Sequence, residues 1–129
     1  MFELQQILDA HSKVKSGADF PNYIKEIKAL GVTHYELYVS DGHVDYHNGK
    51  DFKVTVSSKY DLLTIAENPD LAFFKTELRA HQEGKTDYPT FVSMCANAGV
   101  EKWMIDIKQM TCSYYDSKGN LLLTEFIPE

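Results

Sequence analysis

His43, Asp45 and His47 stand at alternate positions, and on a strand such spacing turns all three side chains to one face. The Asp41-Gly42 pair just before them is a two-residue hairpin signal. That hairpin sets Val39 opposite Val44, Tyr38 opposite Asp45, Leu37 opposite Tyr46 and Glu36 opposite His47. Glu36 and Tyr38 therefore join the two histidines and the aspartate in one polar patch. One reading of the patch is a metal or acid/base site. Residues four apart on a strand lie about 13 Å apart at roughly 3.3 Å per residue, whereas zinc sits about 2 Å from each imidazole nitrogen. His43 and His47 could share an ion only if fully splayed, so a mononuclear site would draw on Glu36, Asp45 and His47. The other reading is a solvated strand face with a Glu36–His47 cross-strand pair, and no metal or cofactor is expected.

A second pair of candidates is His11 and His81, each following an alanine near the end of a helical pattern. An imidazolium is favoured there by the helix dipole, so both suit a capping or core role. The functional alternative is that folding brings both into one cleft as a proton-transfer pair or ligand contact. Cys95 and Cys112 make neither a disulfide framework nor paired zinc ligands, and free thiols behave as small hydrophobes. Ser57, Ser58, Thr64 and Ser93 have no nucleophile-elbow or phosphate-loop setting. Asp19 and Asp87, each two residues before a proline, fit helix N-caps.

The elements that must position these groups follow from periodicity. Apolar residues at Leu4, Ile7, Leu8, His11 and Val14 give a first helical stripe, ended by Ser16-Gly17-Ala18. A second helix runs from Asp19 with Phe20, Tyr23, Ile24, Ile27 and Leu30 on one face, and Gly31 stops it. Tyr35, Leu37 and Val39 alternate as a strand, followed by the hairpin, an Asn48-Gly49 turn, and a third strand through Phe52, Val54 and Val56. Residues 58–68 form a linker whose Tyr60, Leu62, Leu63 and Ile65 are expected to pack across the core. Asn68-Pro69 is expected to cap a third helix with Leu71, Phe74, Leu78 and His81 on one face. A fourth helix runs from Asp87 to Gly99. Strands follow through Trp103, Ile105 and Ile107, through Cys112 and Tyr114, and, after Lys118-Gly119-Asn120, from Leu121 to Ile127.

The stretches DFPNYIKEIKALGVTHYELYV, from Asp19, and DYPTFVSMCANAGVEKWMIDI, from Asp87, align without a gap at an offset of 68. Asp19/Asp87, Pro21/Pro89, Gly31/Gly99 and Val32/Val100 are identical. The pattern predicts one α+β domain over 1–129, built as a pseudo-twofold duplication of a helix-helix-meander unit over about 1–57 and 69–127. A lone meander cannot bury its own apolar face, so the two units must pack together, with helices on one face of an antiparallel sheet.

The pattern AHSKVKSGADFPNYIKEIKALGVTHYELYVSDGH, with AHQEGKTDYPTF and GVEKWMIDIKQMTCSYYDSKGN, is similar over essentially the full length to the YbcV-like family of bacteria and prophages. That family is a domain of unknown function often labelled "phage envelope protein". The resemblance implies a small bacterial or prophage-borne protein and supplies no catalytic residues.

A formal net charge of −6 disfavours nucleic acid, whose affinity comes from Lys and Arg neutralising phosphates. No apolar run approaches the roughly 20 residues of a membrane span. With Met1-Phe2-Glu3 at its start, the sequence is not expected to carry a secretory signal, and a cytoplasmic protein is expected. Two functional readings stand: a non-catalytic accessory module that binds an unknown protein or small-molecule ligand, or a small hydrolase or isomerase using His, Asp and Glu groups of the hairpin or the cleft between units. A self-complementary edge strand would add a homodimer.

Overall fold

The computed structural model describes residues 2–14, 19–58 and 60–127. Within them lie α1 (Leu4–His11), α2 (Phe20–Leu30), β1 (His34–Tyr38), β2 (Val44–His47), β3 (Lys53–Val56), α3 (Leu71–Gln82), α4 (Tyr88–Asn97), β4 (Lys102–Asp106), β5 (Thr111–Tyr115) and β6 (Leu121–Phe126). The strands form one antiparallel sheet in the order β3-β2-β1-β4-β5-β6. This is the α+β architecture expected from the alternating helical and strand periods. Ser16-Gly17-Ala18, expected to end the first helix, lie outside the described residues.

The joint between the halves is the β1–β4 pair at the centre of the sheet, with Glu36 opposite Met104. Those two positions are 68 apart, the sequence offset itself. Val39 N–H donates to Glu101 C=O at 2.8 Å, and its counterpart Ile107 N–H donates to Thr33 C=O at 3.0 Å. The same correspondence holds inside each half. Tyr35 pairs with Tyr46 as Trp103 pairs with Tyr114. Val32 N–H returns to Ile27 C=O as Val100 N–H returns to Cys95 C=O. Asn48 and Asp116 each accept from the amide two residues on, that of Lys50 and of Lys118.

Alternation sends Tyr35, Leu37, Val44, Tyr46, Trp103, Ile105, Cys112 and Tyr114 into the core, where they meet the buried residues Ile7, Tyr23, Ile24, Ile27, Phe74, Leu78, Val92 and Cys95 of the helices. The two buried hydroxyls of Tyr23 and Tyr46 satisfy each other at 2.6 Å, as burial of polar groups requires. Both thiols are free and buried, and loss of water around them pushes both thiol pKa values up.

Several expectations need correction. The first hairpin is not a two-residue turn: Leu37 lies opposite Val44, Glu36 opposite Asp45, Tyr35 opposite Tyr46 and His34 opposite His47. The register moves by two because residues 39–43 form a wider loop held from outside the hairpin. Val39 N–H is bonded to Glu101, Tyr60 Oη–H donates to Val39 C=O, and Leu63 N–H donates to Ser40 C=O. In α1 the buried residues are Ile7 and Ala10, while Leu4 and Leu8 are 43% and 40% exposed. The α3 cap is Asp70, whose carboxylate accepts from Phe73 N–H at 3.1 Å, not Asn68. Asp87 caps α4 by accepting from Thr90 N–H at 2.9 Å, but Asp19 makes no side-chain cap bond to α2. In the linker Tyr60, Leu63 and Ile65 pack on the core, and Leu62 is exposed.

Candidate functional site

All four helices belong to the side of the sheet that carries the core, so alternation leaves the other side of the strands uncovered. Its centre is built from His34, Glu36 and Tyr38 on β1, Asp45 and His47 on β2, Lys102, Met104 and Asp106 on β4, and Ser113 and Tyr115 on β5. Glu36 lies directly opposite Asp45, a like-charge placement that is unfavourable unless each carboxylate finds a cation or donor. Each does. Glu36 Oε2 accepts from Lys102 Nζ at 2.9 Å, while Asp45 accepts from Thr55 Oγ1 at 2.7 Å and lies 3.9 Å from Lys53 Nζ.

Lys102 sits between aromatic faces, 5.7 Å from the Tyr38 ring and 5.5 Å from the Tyr115 ring, a cation–π arrangement. Its hydrogen bond to Glu36 raises its pKa, which keeps it an ammonium and not a nucleophilic amine. Burial raises the Tyr38 pKa, with the Glu36 charge adding to it. His47 Nε2 is 3.3 Å from Glu36 Oε1. That is close enough for a charge contact, but the atom is buried and makes no aligned hydrogen bond. The His34 and His47 rings stack in parallel at 4.4 Å.

The sequence-derived candidates therefore separate. Glu36, Tyr38, Asp45 and His47 share this face. His43 precedes β2, not within it, but its ring stacks on Tyr38 at 4.3 Å and its Nδ1 meets Asp41 Oδ1 at 2.6 Å. Glu36, Asp45 and His47 do not converge, and no group of three or more His, Cys, Asp or Glu among the described residues is placed to hold a metal ion. His11 and His81 each stay with their own helix pair, His11 exposed and edge-on to Tyr23 at 5.5 Å, His81 half-buried and stacked on Phe91 at 4.1 Å. Neither lines either of two clefts on the helical side. One, between α3 and α4, is bounded by residues such as Phe73, Glu77, Thr90 and Met94; the other, between α3 and β6, is bounded by Lys75, Leu78, Arg79, Gln82, Leu123 and Glu125.

Lys102, Tyr115 and His34 were not singled out from sequence. The first two reach Glu36 only through the β1–β4 pairing, and the signal that could have found them is the offset of 68, which makes residues near 104 the partners of those near 36 if the halves join by their first strands.

The histidines give this protein a testable acid response. Burial lowers the His34 pKa, and the neighbouring His47 lowers it further; burial also lowers that of His81. A group whose folded-state pKa lies below its unfolded value takes up its proton more readily when unfolded, so its stabilising effect is present above the ordinary value of 6.5 and is lost as pH falls. The melting temperature is expected to drop from pH 7 to pH 5, and the drop to become shallower in His34→Gln and again in His81→Gln. A flat wild-type profile over that window would contradict it.

Residues 8–126 match the model of a protein family described as "Protein of unknown function (DUF1398)". The chain is also similar to a protein of Escherichia coli (strain K12) described as "Uncharacterized protein YcgX", with 25% identity over 113 residues, which is 88% of this chain and 84% of the relative. Among the described residues, no helix is long and apolar enough to cross a membrane.

Proposed function

The chain belongs to the DUF1398 family of proteins of unknown function, and we propose that it acts by binding another protein rather than by catalysis, through the uncovered face of the sheet centred on Glu36 and Lys102. The observation that carries this reading is the state of that face. Its central charges, Glu36 with Lys102 and Asp45 with Lys53, are paired, the pKa values of Lys102 and Tyr38 are raised, and its central side chains are held by one another, as in a preformed recognition surface. The face spans the neighbouring strands β2, β1, β4 and β5, a breadth that favours a macromolecular partner over a small ligand. Tyr38 and Tyr115, which flank Lys102, supply the aromatic groups enriched at protein interfaces. The same reading takes the two halves as one unit used twice, supported by their common register. An accessory role in the cytoplasm suits a protein that works by docking, and the YbcV-like resemblance adds a bacterial or prophage context.

One observation favours an enzymatic alternative. The buried His47 Nε2 beside the Glu36 carboxylate is an acid/base pair short of a substrate proton. The two readings separate in one set of variants. A partner retained by immobilised wild type and by Glu77→Lys on α3, reconstituted from purified protein and lost with Tyr115→Ala and Lys102→Glu at unchanged fold, is the expected result. Retention by both face variants, or a turnover abolished by His47→Ala, would overturn it.

A further inference from the structure

The sheet has two free edges, and they differ. On β3 the pairing with β2 and the Asn48 N–H to Phe52 C=O bond direct the backbone groups of Val54 and Val56 inward, leaving those of Lys53 and Thr55 outward. This edge is short and carries a lysine, the usual protection against strand addition. On β6 the bond from Ile127 N–H to Met110 C=O, with Thr111 opposite Phe126 and Ser113 opposite Thr124, fixes the opposite phase. Leu123, Glu125 and Ile127 bond to β5, while the N–H and C=O groups of Thr124 and Phe126 point away from the sheet; beyond Leu123 the register shifts, Tyr115 lying opposite Leu121, so that Leu122 is an extra residue in the strand. At the two ends of this strand Leu121 is 57% and Phe126 84% exposed. Its charged residue, Glu125, accepts from Gln82 Nε2 of α3 at 3.1 Å, on the helical side of the sheet.

We propose that β6 pairs with β6 of a second copy of this chain, antiparallel and centred on Thr124, to give a homodimer with one continuous sheet. The centre follows from the phase. Only pairings that set outward-directed residues opposite one another make ladder bonds, and they also keep like faces together. Among these, the one with Thr124 opposite Thr124 makes the two threonines a hydrogen-bonded pair, whereas the neighbouring choice, Thr124 opposite Phe126, would set Glu125 directly opposite Glu125 of the second copy. The Thr124-centred pairing brings each exposed Phe126 to the Leu121–Leu122 end of the second copy's strand. It also sets Glu125 of the second copy opposite Leu123, at the mouth of the cleft lined by Lys75 and Arg79. Neither of these cations forms an ion pair among the described residues. Polar backbone, apolar contact and charge are thus satisfied by the same twofold operation, which is what an isologous interface demands.

Sedimentation of the full chain is expected to give twice the chain mass of 14.7 kDa. Thr124→Pro, which removes an outward N–H at an edge position where proline is tolerated, is expected to give the single-chain mass with an unchanged circular dichroism spectrum. A second measurement does not depend on that variant folding. Thr124→Cys should form an inter-chain disulfide under mild oxidant, because directly opposed residues of antiparallel strands lie about 5.5 Å apart at Cα, whereas Thr55→Cys on β3 should not. A wild type that sediments as a monomer at every concentration, a dimer unaffected by Thr124→Pro, or a cross-link that forms as readily from residue 55 would each overturn the pairing.

Discussion

Gly99→Ala is expected to destabilise the fold by about 3 kcal/mol, and Gly31→Ala, at the corresponding place in the other half, by only about 1 kcal/mol. Both glycines end a helix with positive φ, 107° at Gly31 and 86° at Gly99, so each alanine meets the left-handed penalty of roughly 1–2 kcal/mol. Their surroundings then divide them. A Cβ at Gly31 would come no nearer than 3.9 Å to a Phe2 ring carbon, an ordinary contact. A Cβ at Gly99 would lie 2.6 Å from Cα and 3.0 Å from N of Pro69. Those are backbone atoms of the segment joining the linker to α3, and they are anchored. Ala66 N–H and Asp70 N–H donate to Ala96 and Ala98 on the far side of the same crossing, so relief requires moving the linker off α4. Urea denaturation with an unchanged slope and a midpoint shifted far more for residue 99 than for residue 31 is the expected outcome. Equal shifts would mean that the linker yields freely.

Phe74→Ala is expected to cost about 4 kcal/mol, the middle of the range for emptying a buried aromatic site. Phe74 is fully buried on α3 and meets Tyr114 of β5 edge to face at 4.9 Å, so the loss combines cavity, transfer and ring-contact contributions. The matched control lies on the first helix. Leu8→Ala should cost far less, about 1 kcal/mol, because Leu8 is already 40% exposed and is not among the buried core residues. If the two variants behaved alike, the second helix pair would not be anchored through Phe74.

That contrast shows where sequence is legible and where it stops. Periodicity located every helix and strand, since 3.6- and 2-residue repeats are local properties that burial on one side imposes. Asp87 and Gly31 marked helix ends because capping is also local. What failed was decided by distant groups. Asp41-Gly42 reads as a tight turn, yet the loop is widened by bonds to Glu101, Tyr60 and Leu63. The apolar stripe of α1 includes Leu4 and Leu8, yet the buried residues of that helix are Ile7 and Ala10. Half of the candidate site was visible in Glu36, Tyr38, Asp45 and His47, whose alternation places them together under either hairpin register. Lys102 and Tyr115 were not, because nothing in a single strand's composition names its partner across a seam between halves.

That seam bears on how the protein reaches its fold. Contacts within each helix pair and each meander join segments close in sequence, whereas β1 and β4 join residues about seventy positions apart. Closing so long a loop carries an entropic cost that is repaid only once the apolar faces of both halves exist to be covered. The central strand pair is thus the last part of the sheet to assemble. Unfolding under the same conditions retraces that route, so this pair is the first part of the sheet to separate and the chain parts into its two halves there.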